Sequence, residues 1–112
     1  MNSRFLSMLG ISRKAGLASL GFDKAKDCIF NGTAKVVVVC SDISKKTLKE
    51  LEFHARKAGV LIIQSRYSMF DISNAVGSKT GIVAVTDSGI AKKLCALWSE
   101  DRQTADGTVR KD

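Results

Sequence analysis

The chain has 112 residues, enough for one hydrophobic core and too few for two domains. Apolar residues make up 45% and charged residues 26%, a balance that excludes a disordered chain, and the absence of proline excludes long extended linkers. Eighteen basic residues against eleven acidic ones leave a net charge of +7, which favours a polyanionic partner, either nucleic acid or an anionic membrane surface.

In chain order, residues 4–14 carry Phe5, Leu6, Leu9 and Ile11 at helical spacing, and Gly16 stops the helix. The short apolar run 17–20 predicts an edge strand. In "GFDKAKDCIFNG" an apolar helix stripe is formed by Phe22, Ala25, Cys28 and Ile29, with Asn31-Gly32 as its stop. The run "KVVVVC" at 35–40 has no polar alternation and predicts a strand buried on both faces. After a turn at Ser41, Asp42, Ile43 and Ser44, a helix over 44–58 turns Leu48, Leu51, Ala55 and Ala58 inward. Its outward residues are Lys45, Lys46, Lys49, Glu52 and Arg56, and Gly59 ends it.

"VLII" at 60–63 predicts a second buried strand. Ser68 and Asp71 have the spacing of a capping box, opening a helix with Phe70, Ile72 or Ser73, and Val76 before Gly77. A loop at 78–81 leads to a last strand over 82–87. Asp87 or Ser88 then caps a helix bearing Ile90, Ala91, Leu94, Cys95, Leu97 and Trp98. Residues 101–112 lack periodicity and are expected to form a flexible tail after a single domain over residues 1–100. Strict alternation of helices with near-continuous apolar strands predicts an α/β fold, a three-layer α/β/α sandwich around a central four-stranded mixed sheet.

Catalysis finds little support. No glycine-rich nucleotide loop follows the first strand, and "GSKTG" at 77–81 precedes a strand, as a tight connection does and a phosphate cradle does not. His54 is the only histidine, on a charged helix without a neighbouring cysteine or serine, and is expected to be a half-exposed surface side chain. Cys28, Cys40 and Cys95 are widely spaced in apolar stretches, which predicts buried reduced thiols, neither a zinc site nor a disulfide scaffold. No stretch is long enough to span a membrane, and no cofactor or metal is expected. The expected setting is the cytoplasm, and the expected state a monomer.

Binding is better supported. The segment 101–112 carries three positive and three negative charges, so the whole surplus belongs to the folded body. Arg13 and Lys14 end the first helix, Lys24 and Lys26 open the second, and Lys35 precedes the second strand. These termini are expected to converge on one edge, with the N–H groups of the second helix adding positive potential and Gly21 leaving room for a phosphate or base edge.

The stretches "RKAGLASLGFDKAKDCIFNGTAKVVVVCSDIS", "FHARKAGVLII" and "AVGSKTGIVAVTDSGIAKKL" resemble the ribosomal protein L-seven-Ae / L-thirty-e family, most closely its bacterial YlxQ/YbxF-like branch. The resemblance runs from about residue 3 to residue 98. It implies the same sandwich and a non-catalytic RNA-binding role, ribosomal or ribosome-associated, directed at kink-turns, RNA bends built on tandem sheared G·A pairs. A normal A-form major groove is too narrow to admit side chains, and the bend opens it.

The family's signature, Gly-x-Asn-Glu-x-x-Lys, aligns from Gly21. Asp23 stands at the asparagine, Lys24 at the glutamate and Asp27 at the lysine, and Phe22 lies between. Asparagine both donates to and accepts from a guanine edge, whereas aspartate only accepts. Lys24 and Lys26 restore the positive sign beside the changed positions. The loop from Ala75 to Thr80, with Val76, Gly77, Ser78 and Lys79, corresponds to the family's contact with looped-out nucleotides, although it lacks the family's usual proline. An alternative is a protein-interaction module on the same fold with weak or non-specific RNA binding, to which Asp23 and Asp27 lend support.

Overall fold

The computed structural model describes residues 3–106. Helices and strands alternate as α1 (Arg4–Lys14), β1 (Ala18–Leu20), α2 (Phe22–Phe30), β2 (Val36–Val39), α3 (Lys45–Ala58), β3 (Leu61–Gln64), α4 (Met69–Val76), β4 (Ile82–Val85) and α5 (Ser88–Asp106). The sheet order is β1-β4-β2-β3. β4 runs antiparallel to both β1 and β2, while β2 and β3 are parallel. This is the mixed four-stranded sheet of the expected sandwich.

The valine run of β2 serves both layers, because successive side chains of a strand point to opposite faces. Val36 and Val38 pack with Phe5, Leu9, Ile72 and Leu94 from α1, α4 and α5. Val37 and Val39 pack with Ala25, Ile29, Leu51 and Ala55 from α2 and α3. All four valines are buried, as are all four residues of β4.

Local chemistry explains the helix ends. The Ser3 side chain accepts from the Leu6 amide at 3.1 Å at the start of α1. At α4 the capping box is complete: Ser68 Oγ accepts from the Asp71 amide and the Asp71 carboxylate from the Ser68 amide. Gly59 and Gly77 close α3 and α4 in the left-handed conformation at φ 72° and 77°.

Several expectations need correction. β3 is not buried on both faces. It pairs with β2 alone and forms the second edge of the sheet, so Leu61 is exposed and only Ile63 is fully enclosed. Ile11 and Phe70 are also exposed. Each lies two residues from a buried position, Leu9 and Ile72, and so falls on the opposite side of a 3.6-residue helix. Ala58, assigned inward, is exposed in the last turn of α3. Cys28 and Cys40 are buried, whereas Cys95 is only partly so. The chain continues helically to Asp106, six residues into the segment expected to be loose. Asp101, in that extension, accepts a hydrogen bond from the Tyr67 hydroxyl at 3.2 Å. Residues 107–112 of the expected tail lie outside the described residues.

α1 and α4 approach closely at Gly10, where an added Cβ would stand 2.7 Å from the Ala75 carbonyl oxygen. A Gly10→Ala substitution therefore sets two effects against each other. Alanine is favoured by about 1 kcal/mol in a helix interior. Overpacking against a backbone atom costs about 1–3 kcal/mol, because a helix must shift where a side chain could turn aside. The expected result is a net loss of about 0–2 kcal/mol, read as a lower urea midpoint at unchanged slope.

Candidate nucleic-acid interface

β1 is three residues long and lies at the sheet edge beside β4. Alongside it runs an open cleft of about 470 Å³ lined by Arg13, Gly16, Ala18, Ser19, Leu20, Lys24 and Ser78. Arg13 comes from the last turn of α1, Lys24 from the first turns of α2, and Ser78 from the connection between α4 and β4. The Arg13 guanidinium donates to Ser78 Oγ at 3.3 Å, tying the end of α1 to that connection. Two cations thus stand over a floor of strand backbone and small side chains.

The connection itself is clamped. Ser73 Oγ accepts from the Thr80 amide at 2.9 Å and donates to the Thr80 carbonyl at 3.1 Å. Thr80 Oγ1 donates to the Ile82 carbonyl at 3.0 Å and accepts from the Ile82 amide at 3.2 Å. Four hydrogen bonds therefore fix the path that presents Ser78 and leaves Lys79 exposed.

Gly21 links the cleft to α2. Its amide donates to the Ile82 carbonyl at 2.9 Å, and its φ of 95° lies in the left-handed region that side chains disfavour. No side chain caps α2, and an added Cβ on Gly21 would meet nothing within 4 Å. The first amides of α2 are therefore left without a side-chain acceptor, while the Asp23 carboxylate in the first turn stands near the positive end of the helix dipole.

The other expected site residues divide. Asp23 and Asp27 are exposed on α2, and Lys26 Nζ lies 5.5 Å from the centre of the Phe22 ring, whose body packs on the α2–α3 core layer. Lys14 turns to a separate cleft between α1 and α4, with Ile11, Tyr67, Asp71 and Asn74. Lys35 sits at the far end of the sheet: its amide bonds the Val85 carbonyl, three strand residues, or about 10 Å, from the Ile82 carbonyl held by Gly21. It does not join the edge that it was expected to share. Val76 is a core residue, 6% exposed, and Gly77 beside it is the left-handed cap of α4. Sequence reasoning missed the Ser19 and Leu20 floor and the Ser73–Thr80 clamp. An i, i+7 serine–threonine pair spanning a helix end carries no periodic signal.

Two groups nearby are electrostatically perturbed. Asp42 Oδ1 accepts from the Met69 amide at 2.9 Å, which holds its carboxyl below the usual carboxylate range, with the Cys40 thiol acting in the same direction. Burial, followed by the Asp42 carboxylate, pushes the Cys40 thiol up to about 11, so it is protonated and unreactive near neutral pH. His54 is half-buried, as expected. Among the described residues, no group of three or more His, Cys, Asp or Glu side chains is placed to hold a metal ion, and no helix is long and apolar enough to cross a membrane.

Comparison with known proteins agrees in sequence and in fold. No family model matches the chain. The sequence is 29% identical over 83 residues to the large ribosomal subunit protein eL30 of Aeropyrum pernix, covering 72% of this chain and 83% of that protein. The fold matches a protein of unknown function from Bacillus halodurans C at a TM-score of 0.83 and 23% identity, over 88% of this chain and 99% of the other. It also matches the 15.5kD RNA binding protein of Giardia lamblia at a TM-score of 0.72 and 13% identity, over 89% of each chain. The expected resemblance to a ribosomal L-thirty-e protein is carried by sequence in the first, and the other two share the expected fold.

Proposed function

We propose that this chain is a non-catalytic RNA-binding protein of the cytoplasm, ribosomal or ribosome-associated, that holds structured RNA along β1 and the N-terminus of α2. The observation that carries this reading is the convergence of Arg13 and Lys24 on one cleft beside the uncapped, unobstructed Gly21 end of α2. The cleft offers cations, hydroxyls and backbone, the groups that contact phosphate and sugar, and has no paired carboxylates or histidine for proton transfer. The ribosomal and RNA-binding proteins that share this sequence pattern and fold support the same partner class.

Within that class, a kink-turn is the substrate that fits best. Asp23, exposed one residue after Phe22 at the mouth of α2, is an acceptor for the N1 and N2 protons of guanine. Those protons lie on the Watson–Crick edge, which a sheared G·A pair leaves free and which a widened major groove lets a helix end reach. The test is titration of a kink-turn RNA, a copy with its G·A pairs replaced by Watson–Crick pairs, and a plain duplex, each at two salt concentrations. Binding of the kink-turn at least tenfold tighter than the other two, with steep salt dependence, is expected. Equal affinity for all three rejects kink-turn reading.

A further inference from the structure

α2 carries the cleft at one end and, about 12 Å along its axis, a cluster of aromatic rings at the other. Phe30, its last residue, is 65% exposed, and Phe53 on α3 is 52% exposed. His54 lies between them, edge-on to both, with ring centres 5.0 Å from Phe30 and 5.4 Å from Phe53. Lys57 Nζ stands 4.5 Å from the centre of the Phe53 ring. None of these residues lines the cleft along β1, and the α2–α3 core layer is built from other side chains.

The positions one helical turn from Phe53 are Lys49, Glu50, Arg56 and Lys57, three cations against one carboxylate. Exposed apolar rings gathered in one place mark an interaction surface. The core of a protein–protein interface is depleted of charge, whereas here cations are interleaved with the rings. Rings alternating with cations are the arrangement that stacks bases while neutralising the phosphates between them.

We propose that Phe30, Phe53 and Lys57 form a second RNA subsite, on which an unpaired strand stacks its bases while Lys49, Arg56 and Lys57 meet its phosphates. The inference rests on the reading of RNA as the partner, but not on kink-turn recognition. The subsite has no sequence preference, because every base has a stacking face.

The test uses three probes, single-stranded octaadenylate, a kink-turn RNA without overhangs and a plain duplex, and two variants, Phe30→Ala/Phe53→Ala and Arg13→Glu/Lys24→Glu. All four substituted side chains are exposed or at the surface, and circular dichroism checks that each variant folds. The aromatic variant is expected to lose about tenfold or more in octaadenylate affinity while keeping its affinity for the kink-turn RNA. The charge variant is expected to do the reverse. Absence of octaadenylate binding by the unsubstituted protein, or an affinity that the aromatic variant leaves unchanged, overturns the subsite and leaves the cleft untouched; a protein partner would then be the occupant to seek. If instead the kink-turn RNA binds no better than a duplex while octaadenylate binding depends on Phe30 and Phe53, the subsite stands and kink-turn reading falls.

Discussion

Reversing both cations of the β1 cleft, as Arg13→Glu with Lys24→Glu, is expected to lower affinity for structured RNA about 100-fold at low salt. Each cation that meets a phosphate releases a condensed counterion, so the slope of log affinity against log salt should shrink by about 2. The loss should be similar for every structured RNA held in the β1 cleft, whatever its sequence, because phosphate contacts position the protein and carry no sequence information. Both side chains are exposed, and the hydrogen bond from Arg13 to Ser78 is a surface contact, so stability should change little. Filter binding or fluorescence anisotropy across a salt series, with urea denaturation beside it, separates the two effects. An unchanged salt slope would place the RNA elsewhere on the surface.

The largest expected loss of stability follows Phe5→Ala. Phe5 is buried in the layer formed by α1, α4 and α5, and its ring stacks on Tyr67 with centres 5.8 Å apart. Tyr67 in turn accepts from Ser3 Oγ at 2.7 Å and donates to Asp101 at 3.2 Å. Removing the Phe5 ring leaves a cavity and unseats the tyrosine that joins the start of α1 to the far part of α5. A cost of about 3–5 kcal/mol is expected, a large share of the roughly 5–15 kcal/mol that holds a domain together. Chemical denaturation measures it directly. A cost below about 1.5 kcal/mol would mean that Tyr67 moves in to fill the space.

What the sequence made legible was periodic. The unbroken valines of β2 announced a strand covered on both sides, and the stripe of α2 announced which face is core. The same logic overreached at β3, whose "LII" has the composition of a central strand although the topology makes it an edge. Composition reports what a strand can bury, not how many neighbours it has. The site was half legible. Arg13, Lys24 and Gly21 stand at helix ends that sequence can locate, whereas the placement of Lys35 depends on which end of β2 faces Gly21. That is a matter of strand direction, set by the antiparallel pairing of β4 with β2. Val76 was misread for a simpler reason: a helix's last apolar residue before a glycine cap packs inward more readily than it serves the loop beyond.

The pairing of β1 with β4 has a temporal consequence. Ala18 is registered with Val85 and Leu20 with Val83, so the floor of the β1 cleft is held by residues made more than sixty positions later. Contacts of that separation carry a heavy loop-closure cost and form late in folding. During synthesis, a chain that has completed α1, α2 and α3 has Arg13 and Lys24 but nothing to hold them apart at the right spacing, and no Ser78 to anchor the guanidinium. The β1 cleft is therefore completed only when β4 enters the sheet between β1 and β2, and on the proposed reading an unfinished chain would lack the assembled surface with which to hold an RNA.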